Sequence, residues 1–187
     1  MKKIYQVVVS DKHRSFTFED NADDSVAWKD SDAKYVLDHF GTPMPAEKFP
    51  MRIAQDPAQA KKKSADVNIL GADSIIVLSA RALDILEEKL KPLGQFFPLH
   101  EPYIDYVGFH VTRVVENSVI WEMSKFREES GGRILYTPTL RAGVVAHEYL
   151  FMIPEDRTTL FFSDDFKKDV ESHKLSGIDW TPVKIEV

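Results

Sequence analysis

The chain has 187 residues, room for one ordinary globular domain or a domain with a small appendage. Its 43% hydrophobic and 29% charged content excludes wholesale disorder, collagen-like repetition and a coiled coil, and no apolar run approaches the ~18 residues of a membrane-spanning helix. The absence of cysteine excludes disulfides, thiolate metal sites and cysteine nucleophiles and fits a reducing cytoplasm, while a net charge of −6 argues against nucleic acid or an anionic membrane as the main partner.

In chain order, Ile4–Ser10 reads as a β-branched strand. The start, Met1-Lys2-Lys3-Ile4-Tyr5, lacks the apolar run and small-residue cleavage site of a signal peptide. Ser15–Glu19 places Phe16 and Phe18 on one face of a second strand, and a hairpin across Asp11–Arg14 would join the two. Between Glu19 and Asp32 lie six acids (Glu19, Asp20, Asp23, Asp24, Asp30, Asp32) against one lysine, with Trp28 among them. Ser31–Phe40 predicts a short helix capped by Ser31 and ended by Gly41. Residues 42–65 hold Pro43, Pro45, Pro50, Pro57 and the triplet Lys61–Lys63, an extended connection with a strand at Met51–Gln55. The chain is therefore expected as one domain, 1–187, in which 1–65 forms an N-terminal subregion ahead of a core over 66–187.

From Ala65 the pattern sharpens. Asp66–Leu70 and Ser74–Leu78 read as strands, and Ser79 caps a helix to about Leu90 with Ala82, Leu83, Leu86, Leu90 and Leu93 at helical spacing. Strands follow at Phe96–His100, Tyr103–Val115, Val119–Met123, Arg133–Leu140, Val144–Ile153 and Thr158–Phe162, with Ser124–Glu129 as a turn or loop before Gly131-Gly132. Ser163 caps a helix over Asp164–His173, Gly177 ends it, and Ile178–Val187 returns as a strand. The unit strand–serine–amphipathic helix thus occurs twice, and two ordinary capped junctions suffice to explain it. The expected fold class is α+β, mostly antiparallel sheet with two or three packed helices.

Chemistry-bearing motifs are sparse. Gly131-Gly132 lacks the lysine and helix of a phosphate loop, and Ser79 and Ser163 lack the flanking glycines of a nucleophile elbow. The six histidines are scattered singly; His147-Glu148 is followed by Phe151 where a zinc-protease motif needs its second histidine. His110, within an alternating strand, reads as a hydrogen-bonded or surface histidine. Adjacent acids on a helix diverge by about 100°, so Glu87-Glu88 and Asp164-Asp165 read as solvated faces, and Glu128-Glu129 is read the same way. No catalytic, cofactor or metal residue is assigned on this basis. The acidic segment is the one partner-binding candidate: Glu19, Asp20, Asp23, Asp24, Asp30 and Asp32 would steer a basic partner, with Trp28 as an aromatic anchor. It lacks the glycine and terminal glutamate of a calcium loop.

Four stretches carry a further signal: Val77-Leu78-Ser79-Ala80-Arg81-Ala82-Leu83, Leu93-Gly94-Gln95-Phe96-Phe97-Pro98-Leu99, Leu160-Phe161-Phe162-Ser163-Asp164-Asp165-Phe166-Lys167 and Leu175-Ser176-Gly177-Ile178-Asp179-Trp180. In this order they resemble immunity family eleven of bacterial polymorphic toxin systems, over about 110 residues from Ile75 onward. The resemblance implies a small, non-catalytic cytoplasmic protein that neutralises a cognate toxin delivered between competing bacteria. No cofactor and no nucleic-acid or membrane partner is expected, and an acidic surface is expected if the toxin is a basic nuclease. Two other readings remain: an enzyme assembled from His110, Glu122 and His147 on adjacent strands, or a binding module using Phe109, Trp121, Tyr149, Phe151 and Phe161.

Overall fold

A computed structural model describes residues 2–19, 30–70 and 74–187. The first part comprises β1 (Ile4–Val9), β2 (Phe16–Phe18), α1 (Asp32–Asp38), β3 (Ile53–Gln55) and β4 (Val67–Ile69). Then come β5 (Ile75–Ser79), α2 (Ala80–Leu90), β6 (Gly94–Pro98), β7 (Tyr106–Val111), β8 (Lys125–Glu129) and β9 (Gly132–Thr137). The chain ends with β10 (Thr139–Arg141), α3 (Ala142–Val145), β11 (Leu150–Ile153), β12 (Asp156–Ser163), α4 (Asp164–Ser172) and β13 (Ile178–Glu186). This is an α+β fold, mostly of antiparallel sheet, as the sequence pattern predicts. Among the described residues no helix is long and apolar enough to cross a membrane.

Two sheets dominate. One has the order β10-β13-β1-β12-β11 and the other β4-β5-β7-β6; all their pairings are antiparallel except β10 with β13. The N-terminal strand β1 is therefore the middle strand of a sheet otherwise built from the C-terminal third. The sheets meet where Val115 N–H donates to Met152 C=O and Met152 N–H to Arg113 C=O, both at 2.8 Å.

The repeated strand–serine–helix unit has the same topology in both sheets. β5 runs through α2 to β6, with β7 lying between the two strands; β12 runs through α4 to β13, with β1 lying between. Each joins parallel strands across a helix on one face of its sheet. The details match as well. Ser79 N–H donates to Asp66 C=O (2.9 Å), and Ser163 N–H to Tyr149 C=O (3.0 Å). Each serine hydroxyl caps its helix, Ser79 Oγ accepting from Ala82 N–H at 3.2 Å and Ser163 Oγ from Phe166 N–H at 3.1 Å. After each helix stands a glycine with no room for a side chain. A Cβ on Gly94 would lie 2.1 Å from His110 C=O, and one on Gly177 2.1 Å from Val67 C=O, where φ is also +121°. The similarity thus extends beyond two capped junctions to a shared four-strand topology, with β1 from the chain start taking the place that β7 takes in the other sheet.

One core serves both units. Leu86 and Leu90 of α2, Phe166 and Val170 of α4, Ile76 and Leu78 of β5, and Leu160 and Phe162 of β12 belong to one buried cluster. The opposite faces of the sheets have their own covers. Ile75 and Val77 meet Val36 of α1, Phe16, Phe18 and Ile53; Phe151 and Phe161 meet Ile4, Leu135 and Val145. β5 and β12 are thus buried on both faces, which explains their unbroken apolar runs.

Asp66 clasps the two units together. Its carboxylate accepts from Ser79 Oγ (3.1 Å), Ser176 N–H and Ser176 Oγ (both 2.9 Å), and lies 3.4 Å from Arg81 Nη1. Burial opposes its ionisation, but the Ser176 bonds, the Ser79 bond and Arg81 together hold its pKa below the ordinary value. Ser163→Ala is expected to cost about 1 kcal/mol through the lost cap, and Ser79→Ala about 1–2 kcal/mol because its hydroxyl also serves Asp66. Urea unfolding checks the order; equal losses would mean that the Asp66 bond contributes nothing.

Three sequence expectations need correction. β2 pairs with β3, not with β1, because β13 and β12 flank β1 and Phe16 and Phe18 bury in the cluster that includes Ala33 and Val36 of α1. Val119–Met123 is a single bridge (Val119 to Leu140) followed by a 3-10 turn, and 125–129 is a strand whose hairpin partner is β9. There Trp121 packs edge-on against Phe126 at 5.3 Å and Arg133 stacks over both rings. Finally, 142–145 is helical, a turn that reverses the chain between β10 and β11, so the strand begins only at Leu150.

Candidate partner interface

Of the seven residues assigned to the acidic interface, Asp20, Asp23, Asp24 and Trp28 lie outside the described residues. Glu19, Asp30 and Asp32 are described, and they differ in their surroundings. Glu19 follows β2; its N–H donates to Arg52 C=O (2.9 Å) and its carboxylate accepts from Arg52 Nε (3.1 Å). Its Oε1 also lies 2.8 Å from His100 Nε2, a contact that becomes an ion pair when the imidazole is protonated. Asp32 opens α1, where the helix dipole favours an acid, and pairs with Lys48, whose ammonium also sits 4.5 Å above the Tyr35 ring. Asp30 is exposed and makes no ion pair among the described residues. The segment is therefore pinned at both ends by cations, and less of its charge is free than a count of acids suggests.

The loop between β6 and β7 supplies what the sequence reading missed. His100 touches Glu19, and Tyr103 packs edge-on against Phe16 of β2 at 5.5 Å. The loop thereby brings exposed Glu101 and Asp105 beside the start of the acidic segment, with Ile104 between them at 64% exposure. An isoleucine so exposed gives this negative edge an apolar point. In sequence it falls inside the alternating run Tyr103–Val115, whose β pattern predicts a strand. β7 begins only at Tyr106, leaving Ile104 in the loop.

The residues of the enzyme reading are not gathered. His110 is fully buried in β7, whereas Glu122 and His147 are exposed, one on the 3-10 turn and one after α3. Among the described residues neither His110 ring nitrogen has a hydrogen-bond partner, contrary to the expectation of a hydrogen-bonded or surface histidine. Burial, reinforced by neighbouring His39, lowers its pKa to about 4. Of the aromatic set, Phe109, Phe151 and Phe161 are fully buried core residues, and Trp121 and Tyr149 are partly buried against the core. Tyr149 donates to Asp169 Oδ2 at 2.6 Å, and burial followed by that carboxylate raises its pKa. Among the described residues no cluster of three or more His, Asp or Glu side chains is placed to hold a metal ion.

The four stretches behind the family resemblance fall at equivalent places in the two units. The first and third are the strand–serine–helix junctions, and the second and fourth contain Gly94 and Gly177. They cap the helices and place the tightly packed glycines, so their structural role is to build the scaffold. The chain matches no known family model and no curated protein sequence.

Proposed function

We propose that this chain is a non-catalytic immunity protein that binds and neutralises a cognate bacterial toxin in the cytoplasm of the producing or kin cell. The observation that carries the reading is the edge formed by Glu19 and the 100–105 loop, where exposed Glu101 and Asp105 flank exposed Ile104. A neutraliser needs a stable scaffold and a complementary surface, and this edge offers steering charge together with an apolar anchor. The toxin it fits best is a basic protein. Resemblance to immunity family eleven supports the same reading, since its markers fall on the scaffold that presents this edge.

The test is co-expression with the product of the adjacent open reading frame, scored by cell survival and co-purification. Rescue with a stoichiometric complex supports the proposal; toxicity without rescue and without a complex overturns it. A complex without any toxicity to rescue would favour the alternative, a general protein-binding module. Within the complex, Glu101→Lys with Asp105→Lys is expected to slow association about tenfold at low salt and to flatten its salt dependence. Adding Asp23→Lys, Asp24→Lys and Asp30→Lys should slow it further. Stopped-flow or surface-binding kinetics read both, and unchanged kinetics remove this edge from the interface.

A further inference from the structure

On the five-stranded sheet, β1, the end of β13 and the α3 turn line a half-open pocket of about 270 Å³. Its wall is almost entirely hydrocarbon: Ile4, Ala142, Val145, Ala146 and Ile185. The two other lining residues, Lys2 and His147, are both basic and both exposed, and among the described residues no acid lines the pocket. Ile4 and Val145 are fully buried and fix the floor within the cluster that also holds Phe151 and Phe161. Ile4 and Val145 thus belong to the packed core, while Ala142, Ala146 and Ile185 are half-buried. His147 makes no hydrogen bond among the described residues, so its ring is free to donate. Lys2 is 2.9 Å from Asp165, but both side chains are about half exposed, and such a pair is weak. Its ammonium keeps two further donors for a second anion.

From this combination we infer that the pocket is a binding site for a small apolar monocarboxylate, its hydrocarbon body against Ile4, Val145 and Ile185 and its carboxylate between Lys2 and His147. The volume equals about nine water molecules at ~30 Å³ each, which sets the ligand at roughly ten heavy atoms. Contact with the apolar wall supplies the attraction, and the two basic groups supply the choice of head group. The inference is independent of the toxin-neutralising proposal, because the residues involved are not those of the acidic edge.

The probe is octanoate, which has ten heavy atoms, titrated into the full chain by calorimetry, with octylammonium of equal chain length as control. Saturable octanoate binding is expected, at least tenfold tighter than octylammonium. Methyl NMR should place the perturbed resonances on Ile4, Val145 and Ile185. Lys2→Gln with His147→Gln is expected to weaken octanoate about tenfold while leaving the weak octylammonium affinity unchanged or improved. Ala146→Phe fills the pocket and should abolish binding; Ala142→Phe repeats the test from the other side if the first variant does not fold. No saturable octanoate binding by the unaltered chain, equal affinity for the two head groups, or perturbed methyls elsewhere would each overturn the assignment.

Discussion

Replacing His110 by leucine is expected to stabilise the fold at pH 7 and to remove much of its sensitivity to acid. His110 sits on β7 between Ile75 of β5 and Gln95 of β6, on the sheet face covered by α1. The nearest polar neighbour in that row is already engaged: Gln95 accepts from Met44 N–H at 2.8 Å and donates to Met44 C=O at 3.0 Å. Both imidazole nitrogens are buried without a partner among the described residues. An unpaired buried polar group costs about 1–3 kcal/mol, so His110→Leu should recover about 1–2 kcal/mol at neutral pH once imperfect packing is allowed for.

The acid dependence follows from the lowered pKa of about 4 against 6.5 in the unfolded chain. Above pH 6.5 the group is neutral in both states and adds no pH dependence. Below 6.5 the unfolded chain takes up a proton that the folded chain refuses until about pH 4, so stability falls through that window. The loss from this one residue is about 2 kcal/mol by pH 5 and about 3 kcal/mol by pH 4. Urea unfolding of the two proteins at pH 7, 6, 5 and 4 isolates it, because every other titrating group is common to both. The difference between them should widen as the pH drops. A constant difference would mean that His110 keeps its ordinary ionisation in the fold.

What was legible in the sequence was local. The β5–Ser79–α2 and β12–Ser163–α4 junctions show a short apolar run, a capping hydroxyl and helical spacing within some fifteen residues, and all three signals agree. Pairing partners were not legible, because they depend on which edges are left free after the long-range pairings form. β2 meets β3 across more than thirty residues of chain, and nothing near Phe16 encodes that β1 is already flanked by β12 and β13. The strand at Lys125–Glu129 was hidden by its charge; it is held by cross-strand pairing with β9 and by Phe126 against Trp121 rather than by a hydrophobic run.

The same distinction applies to the candidate interface. Acid density between Glu19 and Asp32 is visible in sequence, but its neutralisation by Arg52 and Lys48 is not. Nor is the arrival of Glu101, Ile104 and Asp105 at the same edge. That depends on two tertiary contacts, His100 with Glu19 and Tyr103 with Phe16. A patch read from composition names the neighbourhood, while its free charge is set by cations sixteen and thirty-three positions from their partners and its exposed isoleucine comes from a loop about eighty positions away.

Phe162→Ala is expected to destabilise the whole molecule, not just the sheet in which the residue lies. Phe162 is fully buried on β12, 4.8 Å from the Phe166 ring and 6.1 Å from Trp180. Truncation removes aromatic burial and leaves a cavity, at about 3–5 kcal/mol. The two topologically similar units could in principle unfold separately, each having its own sheet and helix. They share one core, however, in which Phe162 belongs to the same cluster as Leu86 and Leu90 of α2. Asp66, joined to both Ser79 and Ser176, ties the same pair across polar bonds. A defect on one side must therefore be felt on the other. In urea, Trp fluorescence and far-UV circular dichroism should fall together in one transition, displaced to lower concentration with its steepness unchanged. Hydrogen exchange should quicken for the slowest amides of β5 and β7 by the same free energy as for those of β12. Two separated transitions, or exchange quickened in β12 alone, would show that the units are energetically independent and that the shared core is contact without coupling.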